Sequence, residues 1–460
     1  MSAQRKIFGP IDVLVTSWTE PPMRNAWLTV VDAMVDSVSS ERPDVPPDHV
    51  EEPLGLVAPG FVAAHHHLYQ GASRGIHVRG GLIDWLAVHY AAWARMTAED
   101  VKAAAEYSLV QLLLGGCTTV AAFEYLHPAG EDFVSPVVSA ARDAGIRMMY
   151  VRGCSPRLEG DLATLLRQRN VDVDRLVESE SAALSRTSDV ISEVRTDFLR
   201  WACGPTTPVV DDGGVFNRAL DGVAARHATH LHTHFHPLQG SLPQGILAAD
   251  FAVQLGLVRE GNWFAHGSKL TSEDVAALGS QGVGVVHNPS CSSLLGYRIP
   301  RLADWWGTNN RIAISVDGAA SNDRGSMLSE VQLAWQLQAA RAANCGEFDA
   351  PPDPSQFLAS ATSGAARTIN WPELGELLPG RPADFLVLDL ANLDFAGIPG
   401  IAWNTPDVAL FRANSQGLVQ HLFVGGEQRV CNGRVLGLDQ DRVGERVKET
   451  ADHLYLPPTR

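Results

Sequence analysis

The sequence predicts an α/β protein, a (β/α)8 TIM barrel with a flanking small β-sandwich built from both termini. Short β-rich runs alternate with helical patterns from about residue 56 onward, the mark of βα units laid over a parallel sheet. About eight such units can be counted, enough to close a barrel. The first 50 or so residues and the stretch after about 372 instead carry short strands and turns such as Pro379-Gly380 and Gly425-Gly426.

In chain order the barrel strands are expected in LVAPGFVAA before His65, TTVAAF before Glu124, MMYVRG near residue 150 and RWACG near 203. They continue with THLHTHF to His234, WFAHG around 266, GVGVVH to 287 and IAISVDG to 317. Helical patterns lie between them, from Glu99 to Leu114, Ser179 to Arg195, Gly214 to His227 and Ser329 to Ala342. The sandwich strands are DVLVTSW, AWLTVVD, FLVLDL and HLFVGG. The expected domains are therefore 1–58 (sandwich, first part), 59–371 (catalytic barrel), 372–445 (sandwich, second part) and 446–460 (a docking tail).

Composition narrows the function classes. The 460 residues are 45% hydrophobic and 19% charged without an obvious repeat, an ordinary globular balance that argues against disorder. The net charge of −16, from 36 basic and 52 acidic residues, repels phosphate backbones and anionic membranes, so neither nucleic acid nor membrane is an expected partner. MSAQRKIFGP lacks the apolar core of a signal peptide, and no apolar run approaches the roughly 20 residues of a membrane span, so a cytoplasmic protein is expected. Six scattered cysteines show neither a CxxC pair nor a disulfide framework and read as reduced packing residues, with Cys291 the one placed to line a pocket.

Three segments carry chemistry. In PGFVAAHHHLYQ an apolar strand ends in three histidines, and the two-residue strand period turns His65 and His67 to one side and His66 to the other. A lone histidine would more often be packing, but two on one face of a strand end have the geometry of metal ligands. In THLHTHFHP, His230, His232, His234 and His236 alternate on one face; not all can be ligands, and the last regular position favours His234, with His236 just beyond in the loop. In IAISVDGAASND an apolar run ends in Asp317, whose carboxylate must be paired or metal-bound to offset its desolvation, or else cap the following loop. Three imidazoles and a carboxylate suit Zn²⁺ best, with Co²⁺, Fe²⁺ or Mn²⁺ compatible. Such an ion would lower the pKa of a bound water to near 7, and Asp317 could take that water's proton. His266 and His287, ending the next two strands, divide evenly between site and core.

Together these segments resemble the amidohydrolase superfamily over nearly the whole chain, within it the branch of 8-oxoguanine and guanine deaminases and s-triazine hydrolases. PGFVAAHHHLYQ, LIDWLAVHYAAWARMT, GCTTVAAFEYLHP, VDGAASND and GELLPGRPADFLVLD each resemble a segment of that branch. The resemblance implies His65, His67, His234 and Asp317 as metal ligands and His266 as the residue holding the hydrolytic water. It further implies a substrate pocket lined by Gln70, Trp85, Glu124 and His287. It also implies a homo-oligomer, dimer or tetramer, acting on a small-molecule substrate. Two-metal members bridge their ions with a lysine at a middle strand; Lys6, Lys102, Lys269 and Lys448 do not sit at such a strand end. One ion per subunit is expected, with a bridging Glu124 left open.

Two departures bear on the reaction. The branch's deaminases carry HxHxxE on the fifth strand, whereas this chain reads HTHFHPLQ with Pro237 at the glutamate's place; a one-residue gap would give its proton-shuttling role to His236. At GCTTVAAFEYLHP, Ala122, Phe123 and Glu124 replace polar residues of the relatives. The expected reaction is hydrolytic displacement by metal-bound hydroxide, with ammonia leaving a heteroaromatic or cyclic C–N substrate. The alternatives are hydrolysis of a C–Cl, C–S, carbamate, thiocarbamate or urea-like bond, and a non-catalytic metal-binding relative.

Overall fold

The computed structural model describes residues 4–456 except 45–48, 52–53, 77–79, 159, 211, 236–241, 243–244, 309–310, 323–324, 348–351 and 414–416. Among the described residues, eight parallel strands follow in barrel order: β1 (Phe61–His66), β2 (Cys117–Glu124), β3 (Arg147–Cys154), β4 (Leu199–Pro205), β5 (His232–Phe235), β6 (Trp263–His266), β7 (Gly284–His287) and β8 (Ile312–Ile314). Helices cover the outside, so strands such as Trp263–His266 and Gly284–His287 are buried along their whole length and read as continuous rather than alternating apolar runs.

Hydrogen bonding divides the eight strands into two sheets, β1 to β4 and β5 to β8. One seam is the parallel bridge between Cys203 and Leu231. The other is closed by a side chain: the Ser315 hydroxyl, just past β8, donates to the His65 carbonyl at 2.9 Å and accepts the His65 N–H at 3.2 Å. Val62 N–H also donates to the Ala361 carbonyl at 2.9 Å.

Each expected barrel strand is present, and several differ in extent; IAISVDG, expected to run to Asp317, is strand only over Ile312–Ile314. LVAPGFVAA is cut at Gly60, with Leu54–Pro59 in the outer sheet and β1 beginning at Phe61. A Cβ at Gly60 would stand 2.3 Å from Thr118 Cγ2, so only glycine lets the chain pass between the two sheets there. THLHTHF contributes only four residues to β5, because Leu231 makes the single bridge of the seam. The helices are capped as their sequences dictate. Thr97 and Asp100 form a reciprocal capping box at the start of Ala98–Leu114, and Thr271 with Asp274 does the same for Ser272–Ser280.

The two chain ends build one continuous sheet of nine strands among the described residues. Its N-terminal members are Arg5–Leu14, Met23–Val31, Met34–Ser39, His49–Glu51 and Leu54–Pro59. Phe385–Leu388, Val419–Val424, Glu427–Cys431 and Arg434–Val435 complete it. Flat neighbouring strands lie about 4.8 Å apart. Phe8 nevertheless meets both Phe385 and Phe423 at 5.1 Å across intervening strands, so the sheet curls over a core of its own. Alternation then sends Phe385 and Val387 into that core and Leu386 and Leu388 against the barrel.

The stretch read as a tail belongs to a helix, Gln440–Tyr455, that begins before residue 446. Asp439 caps it by accepting the N–H groups of Asp441 and Arg442, and Val443, Val447, Thr450 and Leu454 form its buried stripe. Arg446 pairs with Glu106 and Tyr455 with His89 (2.6 Å), which docks the helix on the barrel. None of the cysteines is disulfide-bonded. Cys117, Cys154, Cys203 and Cys291 are buried, whereas Cys345 is exposed and Cys431 half-buried, so the packing role does not extend to Cys345. Among the described residues no helix is long and apolar enough to cross a membrane.

Candidate active site

The C-terminal ends of β1, β5, β6 and β8 bring five polar side chains to one point at the barrel mouth. Ligand atoms of His65, His67 and His234 lie within 4.8 Å of one another, and so do those of His65, His266 and Asp317. Asp317 Oδ1 stands 3.3 Å from His65 Nε2 and 3.4 Å from His67 Nε2; Asp317 Oδ2 stands 4.0 Å from His266 Nε2. His66 shares the strand end without joining this cluster. It is buried, its Nδ1 has no hydrogen-bond partner, and burial pushes its pKa down to about 3.

The proton positions on the imidazoles follow from their partners, because a carbonyl oxygen only accepts. His67 Nδ1–H donates to the Phe123 carbonyl at 2.6 Å, and His234 Nδ1–H donates to the Thr206 carbonyl at 2.7 Å. His232 Nδ1–H donates to the Trp263 carbonyl at 3.0 Å, which leaves His232 Nε2 to accept from His65 Nδ1–H at 2.7 Å. All three Nε2 atoms of His65, His67 and His234 therefore carry lone pairs. Those of His67 and His234 face each other at 3.1 Å, and His65 Nε2 is buried without a hydrogen-bond partner.

Electrostatics favour the neutral form of His67 and His234. Burial first, and the neighbouring His65, hold His67 well below its ordinary pKa and bring His234 down to about 4. Burial alone would push the Asp317 carboxyl up, but the neighbouring His65, with His266 and His67, holds it well below the carboxylate range. Neutral imidazoles and an ionised carboxylate are the forms that bind a divalent cation. Donors about 2.0–2.1 Å from one tetrahedral ion stand roughly 3.3 Å apart, close to the separations here, so the residues fit such an ion.

The other sequence-predicted residues are placed differently. Glu124 is turned to the chain after His67, where Oε1 accepts the Leu68 N–H at 2.8 Å; burial raises its pKa to about 8. Gln70 Oε1 accepts the Ala320 N–H at 3.3 Å, so this amide fastens the segment after β1 to the loop after β8. Trp85, on the helix Leu82–Trp93, packs on His89 and Trp93, with ring centroids at 4.6 and 5.8 Å. His287 is buried against Trp305 with both nitrogens unpartnered, and burial lowers its pKa to about 3. His236 lies outside the described residues.

Several site neighbours escaped sequence reasoning. His232 is one; it shared a face with His234, and only the His65 Nδ1–H that its Nε2 accepts separates the roles. Asn288 Nδ2 lies 3.2 Å from His266 Nδ1, and Ser321 Oγ–H donates to Asp317 Oδ2 at 3.1 Å. Tyr125 packs edge-on against His67 (5.0 Å) and His234 (5.6 Å), and Tyr297 against His266 (6.0 Å). Cys291, by contrast the cysteine expected to line a pocket, lies beside Asp317 and Ser321. Tyr125 lies within the motif GCTTVAAFEYLHP, whereas no pattern marks Tyr297.

A parallel barrel with this donor cluster at its C-terminal mouth defines a metal-dependent hydrolase class. The amidohydrolase family model matches residues 56–429, and the chain belongs to that family. It is 32% identical to the 8-oxoguanine deaminase of Pseudomonas aeruginosa strain PAO1 over 398 residues, 84% of each chain. To the hydroxydechloroatrazine ethylaminohydrolase of Pseudomonas sp. strain ADP it is 29% identical over 410 residues, 84% of this chain and 80% of that one. The solved structure of atrazine chlorohydrolase TrzN from Arthrobacter aurescens TC1 complexed with zinc superposes with a TM-score of 0.85. It is 22% identical, over 97% of this chain and 100% of that one, and shows the shared fold. The protein is thus a hydrolytic enzyme, and the non-catalytic alternative falls away.

Proposed function

We propose that His65, His67, His234 and Asp317 hold one zinc ion and that the enzyme removes ammonia hydrolytically from an electron-poor carbon of a nitrogen heterocycle. The observation that carries this is the pair of bare nitrogens, His67 Nε2 and His234 Nε2, 3.1 Å apart. Two lone pairs repel at that distance, and a shared cation turns the contact into an attraction. When bound, the ion lowers the pKa of a neighbouring water and polarises the bond under attack.

The chain's own residues supply the rest. Asp317 Oδ2 faces His266 Nε2 at 4.0 Å, a gap flanked by an acceptor and an imidazole. Asp317 takes the attacking water's proton at Oδ2, the oxygen that Ser321 holds in place. His266 orients that water, with Asn288 on its far nitrogen. Tyr125, Phe123 and Tyr297 give the cluster aromatic walls suited to a flat ring. His236, following β5, delivers the proton that the leaving amine requires.

A second reading, displacement of halide or thiolate, is favoured by Pro237 and His236 standing where the family's deaminases carry a glutamate. Such leaving groups need less protonation than an amine. Zinc-loaded protein assayed in parallel against amino-, chloro- and thiocarbamate-bearing heterocycles decides between them. Ammonia release that stops on chelation and returns with zinc is expected. Chloride or thiol release without ammonia selects the second reading, and a wild-type protein that binds no zinc overturns both.

A further inference from the structure

Glu330 lies in the first turn of the helix Met327–Asn344, is 1% exposed, and belongs to none of the sequence motifs that point to the site. Its carboxylate gathers donors from the segments that follow two barrel strands. Oε2 accepts the Ser290 N–H at 3.0 Å, and Oε1 accepts both the Ser290 hydroxyl and Asn322 Nδ2–H, the latter at 2.9 Å. Ser290 lies in the first turn of the short helix Pro289–Leu294 that follows β7, two residues beyond the Asn288 that contacts His266 Nδ1. Asn322 belongs to the loop after β8, and its amide also donates to the Val316 carbonyl at 2.7 Å, immediately before Asp317.

Both residues at the far ends of these connections are conformationally unusual. Asp317 has φ 61° and His266 has φ 73°, left-handed conformations that a side chain resists unless its surroundings impose them. Asp317 needs this turn to aim its carboxylate back at the histidines. The Gly318 N–H and Ser321 hydroxyl that grip its two oxygens, at 2.7 and 3.1 Å, come from the loop that Asn322 secures.

We propose that Glu330 is a positioning residue: a single buried carboxylate that clamps the short helix after β7 to the loop after β8 and so sets the aim of Asp317 and His266 at the metal cluster. This rests on the metal site proposed above. A clamp acting through hydrogen bonds to these segments is expected to change metal affinity as outer-shell partners do, by about 10-fold or more.

The test uses full-length protein and metal alone. Glu330→Gln keeps the size but sets an amide N–H₂ against the donors of Ser290 or Asn322. Zinc affinity measured by competition with a chromophoric chelator is expected to fall about 10-fold or more, and the cobalt(II)-loaded variant is expected to show altered d–d absorption bands. A purely structural Glu330 would lower the melting temperature of metal-free protein while leaving zinc affinity and the cobalt spectrum unchanged, and that result overturns the proposal. Should Glu330→Gln not fold, Ser290→Ala removes one hydroxyl donor; an altered cobalt spectrum supports the clamp and an unchanged one overturns it. Wild-type protein that takes up neither metal would overturn the site itself, whereas tight binding by wild type and variant alike removes only the clamp.

Discussion

At the level of single residues, the site depends on groups held in forms they would not adopt in water. His266 and Asp317 carry left-handed backbones that cost roughly 1–3 kcal/mol each, offset by the loops around them. Glu124 shows the same principle through protonation. Burial raises its pKa from 4.5 to about 8, so between those values the folded protein holds a proton that the unfolded chain has released. Stability therefore falls as pH rises through this window, by up to roughly 1.4 kcal/mol per pH unit, and is level above it. Glu124→Gln retains an oxygen for the Leu68 N–H and cannot ionise. In thermal melts of metal-free protein, the variant is expected to gain on wild type steadily from pH 5 to pH 8; parallel curves would show that Glu124 does not carry this dependence.

At the level of elements, the seam between β4 and β5 is the most exacting contact. A Cβ on Gly204 would lie 1.6 Å from the His232 carbonyl oxygen, a backbone atom that cannot step aside without moving β5. His232 in turn holds His65 through the 2.7 Å hydrogen bond. Gly204→Ala is therefore expected to cost about 2 kcal/mol or more by overpacking and to weaken zinc binding as well. Denaturant unfolding and chelator competition on one preparation test this, and a stability loss with zinc affinity intact would mean that the strain stops before His65.

At the level of the whole molecule, the curled sheet and the barrel have separate hydrophobic cores. Phe385 is fully buried in the smaller one, stacked on Phe423 at 4.5 Å. Phe385→Ala is expected to destabilise the protein by about 3–5 kcal/mol while the folded fraction keeps wild-type zinc affinity. A matching loss of zinc affinity would show that the sheet's core is coupled to the barrel mouth.

The barrel and part of the cluster, His65, His67 and Asp317, were legible in the sequence because they follow from local periodicity. A strand's two-residue alternation separates His65 and His67 from His66, and a buried run ending in a carboxylate marks Asp317. The periods do not specify what each side chain meets across the barrel. His230, His232 and His234 are equivalent by alternation, and only what each Nε2 meets separates the supporting imidazole, which accepts from His65, from the one whose Nε2 faces His67. Glu124 and Gln70 match pocket positions by resemblance, yet each is turned to a backbone N–H, because a buried polar group settles where its hydrogen bond can be made. Glu330 carries no local signal at all: its partners lie 40 and 8 residues before it, and only the meeting of the segments after β7 and β8 over one helix makes it part of the site.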